Sequence, residues 1–334
     1  MRVSPRPVKA KARVPSQRMA AVNRRRIDLA LNESAGFTIV ELGGSKDGPT
    51  VSVVGGIHGD EFEGVVACLR LADELADGPL RGQLRLVPVA HEAAHVASVR
   101  SSPLDGLNLA RTFPGDPAGS PTERLADALR RHVIEGSDLF VDLHSAGTAY
   151  AMPLLVGWTD DGCATCAAGG RAAEAFAAPV LWRHPGPVPA GRTLSAAHDS
   201  GIPSIYAEAA GGGTVTAAHV EAYVAGIRRV IASLGMLEPR DAPTQGRPRR
   251  LVGEGNLDLP AMIAPFDGVC ETLVAPLDSV APGQLVATVT DPLTGVRGEV
   301  ISQVAGVVVL ARRGARVARS ENLVVLAEDD EAIS

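Results

Sequence analysis

Three residues of metal-ligand type stand at the ends of two predicted strands. His58 and Glu61 follow residues 50–57, a run rich in β-branched residues that ends in glycines. His144 stands near the end of a second apolar run, residues 139–145. Open α/β sheets bind their ligands at the carboxyl ends of strands. Imidazole and carboxylate donors suit zinc, which in catalytic sites takes three protein ligands and a water, so the three residues form a candidate zinc site.

A second pattern of possible metal-binding residues is an alternative to the first. His91, Glu92 and His95 match the H-E-x-x-H pattern, in which two histidines one helical turn apart bind zinc and the glutamate acts as base. Downstream, Glu123 and Asp127 stand at a spacing that would supply a further carboxylate ligand. A zinc hydrolase of this second type is therefore an alternative.

The surroundings of the second spacing weaken it. Ser120 and Glu123 have the spacing of a capping box, in which the glutamate bonds a helix N-terminus. Asp127 lies within reach of Arg130 and Arg131 on the same helix face. The helix that carries the two histidines would span about three turns at most, since a strand precedes it and a proline follows it.

Strands alternate with helices through most of the chain. The predicted strands cover residues 27–43, 50–57, 83–90, 138–145, 152–158 and 203–210. The predicted helices begin near Asp60 and Ser120 and cover residues 163–178 and 216–235. Such alternation predicts an α/β fold with a mostly parallel, mixed sheet flanked by helices.

The sequence pattern changes beyond residue 240. We predict a basic, flexible arm at residues 1–26, an α/β domain at 27–240, a linker at 241–255 and a small all-β domain at 256–334. In the last segment, short apolar runs are broken by Gly and Pro without helical periodicity. This segment contains no histidine, so we expect it to shape the site entrance and the assembly rather than to carry chemistry.

The composition restricts the partners and the location that we expect. The formal net charge of −6 gives no general attraction to nucleic acid. No stretch is apolar for long enough to span a bilayer, and the basic N-terminal residues lack the apolar segment of a signal peptide. The four cysteines are too few for a disulfide framework, and the C-x-x-C of Cys163 and Cys166 is interpreted as structural thiols. We therefore expect a cytoplasmic protein.

Four segments in fixed order resemble the succinylglutamate desuccinylase/aspartoacylase family of the zinc-carboxypeptidase superfamily. They are residues 55–64 around His58 and Glu61, 103–115 around Asn108 and Arg111, 142–145 around His144, and 201–213 around Glu208. The resemblance runs from about residue 36 to the end of the sequence. It implies a zinc-carboxypeptidase-like fold with a C-terminal β domain.

This resemblance also implies a site and a reaction. One Zn²⁺ per chain would be held by His58, Glu61 and His144, with Glu208 as general acid and base and Arg111 in contact with the substrate. The implied reaction is hydrolysis of an N-acyl amide on a small amino acid or related amine. We expect a homo-oligomer and a substrate that carries a carboxylate.

The expected mechanism assigns roles to further residues. Zinc lowers the pKa of its water and polarises a carbonyl, and Glu208 would pass the proton of this water to the leaving amine. Arg111, Arg100 and Asn108 are assigned to substrate binding, because a guanidinium suits a carboxylate or an oxyanion. Asp142 points to the same side of its strand as the histidine two residues on, and would either orient that imidazole or serve the core.

Two departures from the family pattern concern the substrate pocket. Ala110 stands where relatives usually carry asparagine, directly before Arg111. Glu208 is followed by Ala-Ala-Gly where relatives have Leu-Gly-Gly. We expect the chemistry to be kept and the substrate specificity to differ.

Other functions compete with deacylation. A metallocarboxypeptidase of the same superfamily would use the same metal site on a peptide, unless the C-terminal domain narrows the entrance. A carrier protein with a biotinyl-like or lipoyl-like barrel needs a modifiable lysine, and none follows Lys46. A serine hydrolase is disfavoured because the sequence lacks a G-x-S-x-G turn.

Overall fold

Strands and helices alternate in the first three quarters of the chain. The computed structural model describes residues 22–29, 36–43, 47–239, 246–257 and 261–330. The strands up to residue 252 are β1 Asn23–Asp28, β2 Gly36–Gly43, β3 Thr50–Gly55, β4 Gln83–Val87, β5 Leu139–Leu143, β6 Tyr150–Ala151, β7 Leu155–Asp160, β8 Val180–Pro185, β9 Ser204–Glu208 and β10 Arg249–Val252. The α-helices are α1 Glu63–Leu75, α2 Glu92–Ala97, α3 Pro121–Leu129, α4 Ala164–Phe176, α5 Thr193–Asp199 and α6 Ala217–Ser233. A 3₁₀ turn covers Leu109–Arg111, and a π-helical turn, Arg130–Ile134, follows α3.

The strand order determines where the ends of the central strands meet. The sheet runs β1-β2-β4-β3-β5-β9-β7-β8-β10. The strands β4, β3, β5 and β9 are parallel, whereas β7 is antiparallel to β9. Because β3, β5 and β9 are adjacent and parallel, their carboxyl ends share one edge of the sheet. This mixed sheet between helices confirms the predicted fold class.

Helices cover both faces of the sheet. On one face α1, α4 and α6 pack together and bury Leu71, Phe176 and Tyr223. The other face buries Leu129 of α3 and Phe140 of β5. Each such side chain contributes roughly 1.5–3 kcal/mol through burial. Within the described ranges, none of the helices has both the length and the apolarity needed to cross a bilayer.

The C-terminal residues form β structure, as predicted. The strands are β11 Met262–Ile263, β12 Gly268–Thr272, β13 Ser279–Val280, β14 Leu285–Thr290, β15 Arg297–Ile301, β16 Gly306–Arg312, β17 Arg316–Val317 and β18 Asn322–Asp329. One sheet, β15-β14-β12-β17, is separate. The strands β18, β16 and β13 instead extend the central sheet, because β10 pairs with both β8 and β18.

Two segments contain more regular structure than expected. The strand β1 includes residues 23–26, the last part of the predicted arm, and pairs with β2; residues 1–21 lie outside the described residues. Within the predicted linker 241–255, Arg249–Val252 forms β10. The Pro, Gly and Arg content hid this strand, although Leu251 is buried in it. The predicted domain boundaries stay a prediction.

The helix starts were predicted with mixed success. The capping box of Ser120 and Glu123 is formed at α3, as predicted. Asp60 was expected to cap α1, but this helix begins at Glu63 without a side-chain cap. Asp60 Oδ2 instead accepts hydrogen bonds from the backbone amide and hydroxyl of Thr148, at 3.0 and 3.1 Å. Its carboxylate therefore ties two loops together.

Candidate metal centre and active site

Glycines position the loop that follows β3. A Cβ atom on Gly59 would come within 1.9 Å of the carbonyl oxygen of Ala94 in α2. A Cβ atom on Gly64 in α1 would lie 2.7 Å from the carbonyl oxygen of Leu143 in β5. Only glycine allows these close approaches. The first brings the loop after β3 against α2, and the second brings the start of α1 against the end of β5.

The three predicted metal ligands converge there; we call them the His–Glu–His cluster. His58 Nδ1 lies 2.8 Å from Glu61 Oε1, and His144 Nδ1 lies 2.9 Å from Glu61 Oε2. One donor atom from each of the three residues lies within 4.8 Å of the others. Their side chains are only 2%, 3% and 12% exposed, respectively for His58, Glu61 and His144. Two imidazole nitrogens and a carboxylate are the donor set of many catalytic zinc sites.

The Nε2 atom of each imidazole, which faces away from Glu61, donates a hydrogen bond to an oxygen acceptor. His58 Nε2 donates to Asn108 Oδ1 at 3.1 Å, and His144 Nε2 donates to Asp142 Oδ2 at 3.0 Å. Thr193 Oγ1 also donates to Asp142 Oδ2, at 2.5 Å. In the neutral tautomer with its proton on Nε2, each imidazole would offer the Nδ1 lone pair on the side of Glu61 to an ion that takes the place of the Nδ1 proton. These tautomers are the ones that a metal ion requires, so the residues fit a bound metal.

A positive charge already contacts the cluster. Arg100 Nη1 lies 3.0 Å from Glu61 Oε1 and 3.2 Å from His58 Nδ1. The backbone amide of Ser145 donates to the other carboxylate oxygen at 3.0 Å. The guanidinium therefore occupies a place that is favourable for a cation, and its half-exposed side chain has room to move.

Burial and charge shift the pKa values of the cluster. Burial, helped by the Arg100 charge, lowers the pKa of His58 and favours its neutral form. Burial opposes ionisation of Glu61, but the two histidines outweigh it and hold its pKa well below the usual value. Burial also opposes a charge on His144, yet Asp142 and Glu61 outweigh it and raise its pKa well above the usual value. Glu61 is therefore an anion at neutral pH.

Glu208 ends β9, next to the cluster and outside it. Its Oε2 atom is buried and has no hydrogen-bond partner among the described residues. Burial raises the pKa of Glu208 to about 8; Glu61 and Asp142 act in the same direction, and His144 and Arg100 oppose them. A carboxyl group with a pKa near neutrality both accepts and donates protons, as a general acid and base must.

A cavity of about 280 Å³ joins these residues. The His–Glu–His cluster, Glu208, Arg100 and Arg111 line it. Leu310 of β16 and Asn322 of β18 also contribute to its wall. The C-terminal strands are therefore part of the site.

The three predicted substrate-binding residues occupy different positions. Arg100 and Arg111 line the cavity, as does Ala110, the departure from the family pattern. Asn108 does not line it, because its Oδ1 atom faces His58 Nε2 and also accepts from the Ala110 amide at 3.0 Å. Asn108 thus supports a cluster imidazole, whereas the sequence had suggested a contact with substrate.

The residues of the H-E-x-x-H pattern do not form a second zinc site. His91 is the N-cap of α2 and has non-helical dihedral angles, so it stands outside the helix that carries His95, although its carbonyl oxygen accepts from the His95 amide at 2.9 Å. Glu92 pairs with Arg26 of β1. In the part of the chain that the structure describes, the groups of three or more convergent ligand residues include none of these three. Asp127, their further candidate ligand, is engaged by two neighbouring arginines.

Sequence reasoning missed several groups that support the site. Thr193 holds Asp142, as described above, and Tyr223 Oη in α6 donates to the carbonyl oxygen of His144 at 2.5 Å. In the cavity wall, Tyr206 Oη donates to His184 Nε2 at 2.8 Å. No local pattern marks these residues, because only the packing of α5, α6 and β8 brings them to the sheet edge.

Two sequence comparisons agree with this geometry. The model of the succinylglutamate desuccinylase/aspartoacylase catalytic domain matches residues 47–234, more than half of the chain. The N-alpha-acetyl-L-2,4-diaminobutyric acid deacetylase of Halomonas elongata is 32% identical over 303 residues. The match covers 89% of this chain and 86% of that relative.

Two solved structures share the fold over nearly the whole chain. The product-bound ectoine utilization protein EutE of Ruegeria pomeroyi has a TM-score of 0.80 and 28% identity, over 88% of this chain and 89% of that one. A succinylglutamate desuccinylase from Silicibacter sp. TM1040 has a TM-score of 0.82 and 26% identity, over 98% and 100% of the two chains. By motif order, site geometry and these matches, the chain belongs to the succinylglutamate desuccinylase/aspartoacylase family.

Proposed function

We propose that this chain is a zinc-dependent amidohydrolase that removes a small acyl group from an N-acyl amino acid or a related small amine. One observation carries the proposal. His58, Glu61 and His144 bring three donor atoms within 4.8 Å of one another, in the wall of a cavity that also holds Glu208. Three protein ligands beside an open cavity are typical of catalytic zinc, whereas structural zinc takes four.

Different residues of the chain have different roles in the proposed reaction. When bound, zinc supplies a Lewis acid that lowers the pKa of water and polarises a carbonyl. Glu208 takes a proton from the attacking water at its unpartnered Oε2 atom and delivers it to the amine nitrogen as the C–N bond breaks. Arg100 and Arg111 are placed to bind a substrate carboxylate or to stabilise the oxyanion.

The size of the cavity favours a small substrate. Its volume of about 280 Å³ lies just below the roughly 300–1,000 Å³ that is typical of ligand pockets. Leu310 and Asn322 close part of the wall, which supports the proposal that the C-terminal β domain narrows the entrance. A single acylated amino acid fits this space better than a peptide, so we favour a deacylase over a metallocarboxypeptidase.

The charges in the cavity suggest which amino acids to test first. The Halomonas elongata relative is a deacetylase of N-alpha-acetyl-L-2,4-diaminobutyric acid, a molecule with a carboxylate, an acetamide and a second amine. In this chain Arg111 would pair with such a carboxylate, and Glu254, also in the cavity wall, would pair with the second amine. We therefore propose N-acetylated amino acids as substrates, with diamino acids as the leading candidates.

Substrate screening with controlled metal content tests the proposal. The purified chain would be assayed as isolated, after chelation and after zinc reloading, against N-acetyl, N-succinyl and N-formyl amino acids and against peptides. We expect only the zinc-loaded form to hydrolyse small N-acyl amino acids. His58→Ala should lose activity and the zinc ion of the His–Glu–His cluster, whereas the control variant His91→Ala/His95→Ala should keep both. Cleavage of peptides alone, or loss of metal only in the control, would contradict the proposal.

The predicted homo-oligomer and the cytoplasmic location stay predictions. Light scattering during size-exclusion chromatography would give the molar mass of the assembly. Fractionation of the source cells would show the compartment. Neither result changes the chemistry proposed above.

A further inference from the structure

A second group of metal-ligand side chains lies away from the cavity; we call it the cysteine cluster. It consists of Asp161, Cys163, Cys166 and His198, each of which presents one donor atom within 4.8 Å of the others. Cys166 Sγ lies 2.8 Å from Cys163 Sγ, 3.0 Å from Asp161 Oδ1 and 3.9 Å from His198 Nδ1. None of the four residues lines the catalytic cavity. The donors therefore converge at a point of their own.

Two segments build this cluster. Asp161 directly follows β7, and Gly162 turns the chain with a φ of +86°. Cys163 is then the N-cap of α4, where its Sγ accepts a hydrogen bond from the Cys166 amide. His198 comes from the last turn of α5. The cluster thus joins the β7–α4 connection to a helix that lies further along the chain.

We propose that the cysteine cluster binds a second zinc ion with a structural role. Thiolate, imidazole and carboxylate are all zinc donors, and four of them complete its tetrahedral coordination. Zinc–donor bonds of about 2.0–2.3 Å place tetrahedral donors roughly 3.3–3.8 Å apart. The separation of 3.9 Å between Cys166 Sγ and His198 Nδ1 lies just above this range. The shorter contacts of Cys166 to Cys163 and to Asp161 need to widen by about 1 Å or less, which side-chain rotation provides.

The four donors favour a metal over a disulfide. Both cysteines are free thiols, and a bond between them would use two of the four donors and leave out Asp161 and His198, whose Oδ2 and Nε2 atoms lie 3.5 Å apart. Zinc uses all four, and its binding releases one proton from each thiol to solvent. The side chains of Asp161 and His198 are 27% and 31% exposed, which gives the ion a route in.

The second zinc ion would stabilise the helix whose residues support the proposed catalytic site. The helix α5 carries His198 in its last turn and begins at Thr193. Thr193 donates to Asp142, which in turn holds the imidazole of His144. An ion on His198 would anchor this helix to the β7–α4 connection and restrict its movement relative to the sheet.

Metal counting on the full chain tests this proposal. We expect two zinc ions per chain in the wild type, and one in the double variant Cys163→Ser/Cys166→Ser. His58→Ala should also keep one ion, namely the one on the cysteine cluster. Cys270→Ser, which changes a buried cysteine of the C-terminal β structure, is the matched control and should keep two.

Cobalt substitution then identifies the donors. Sulfur-to-cobalt charge-transfer absorption should appear in the wild type and in His58→Ala, and should be absent from the double cysteine variant. His198→Ala removes a partly exposed side chain and should weaken binding of the second ion at least tenfold, on the scale of losing a zinc ligand or its support. A wild type without thiolate-bound metal would overturn the proposal, whether its two thiols were free or joined in a disulfide. So would an unchanged metal count in the double variant.

Discussion

The His–Glu–His cluster and the cysteine cluster place similar donors in different surroundings. In the first, three donors are almost fully buried, both imidazoles are held by oxygen acceptors, and the group faces a cavity of about 280 Å³. In the second, four donors meet away from the cavity, and two of them are about 30% exposed. Three supported donors leave an ion open to substrate, whereas four donors close its coordination. Donor number and surroundings are therefore the basis on which we propose a catalytic site for the first cluster and a structural site for the second.

The two clusters also differ in what holds them. The first depends on adjacent parallel strands, β3 and β5, whose ends are fixed by the hydrogen bonds of the sheet. The second depends on one connection and one short helix. We therefore expect substitutions at the first cluster to change turnover, and substitutions at the second to change metal retention and stability.

The largest effect is expected for Glu208→Gln. This change removes the carboxyl group that we propose as the proton shuttle but keeps the size of the side chain, and neither cluster loses a donor. We expect kcat to fall by about 10²–10⁴-fold, the range of general acid–base catalysis, with two metal ions retained. Steady-state kinetics and metal analysis on the same sample would check this. Turnover close to that of the wild type would mean that another group moves the proton.

A smaller effect is expected for Asp142→Asn. The amide cannot hold the His144 imidazolium or its Nε2 proton as the carboxylate does, so the ligand loses its orientation. We expect zinc affinity or activity to fall by roughly 10–100-fold at the His–Glu–His cluster alone. Competition with a chelator would measure it, and Thr193→Val, which removes only the hydroxyl on Asp142, should show a weaker form of the same loss. Equal losses of both ions would show that the two clusters are not independent.

Arg111→Lys should have a more modest effect. Lysine keeps the charge but loses the planar pair of donors that matches a carboxylate. We expect kcat/KM to fall by about tenfold, equivalent to about 1.4 kcal/mol, mainly through KM. Arg100→Lys is the comparison within the same cavity. Unchanged kcat/KM in both Arg111→Lys and Arg111→Ala would remove Arg111 from the site.

The smallest effect concerns stability and pH in the metal-free chain. The pKa of Glu208 is about 8, above its ordinary value of 4.5, so its stabilising contribution is complete below pH 4.5 and is lost as pH rises through 8. We expect the wild type to lose of the order of 1 kcal/mol relative to Glu208→Gln over this range, since the carboxyl group borders a cavity. Urea unfolding in the presence of chelator would measure the difference. A difference that does not vary with pH would contradict the burial argument.

Local patterns account for what the sequence predicted well. Apolar runs that end in His58 or His144 mark strand ends, and Ser120 with Glu123 marks a helix start, because each depends on residues only a few positions apart. The spacing of Asp142 and His144 likewise placed both side chains on one side of β5. The fold class and the positions of His58, Glu61 and His144 therefore followed from short-range patterns, whereas the role of these residues as metal ligands stays a prediction.

Long-range packing accounts for what the sequence did not predict. The hydrogen bond that Thr148 donates to Asp60, and the one that His58 donates to Asn108, join loops that are far apart in the chain. Cys163 and Cys166 were interpreted as structural thiols because no spacing rule connects them with the other two donors. Asp161 precedes α4 and its N-cap, and His198 lies in α5. Such contacts depend on how the helices pack against the sheet. The periodicity of apolar residues does not specify that packing.

Because β10 pairs with both β8 and β18, one continuous sheet includes strands of the α/β part of the chain and strands of its C-terminal part. During synthesis the residues of the His–Glu–His cluster and Glu208 leave the ribosome first, while β8 still presents an open edge. Such an edge is a template for association with other chains. Leu310 and Asn322 arrive later and complete the cavity wall. A nascent chain that pauses before β10 would therefore carry its ligands without a closed pocket, and its need for a chaperone should be greatest at that point.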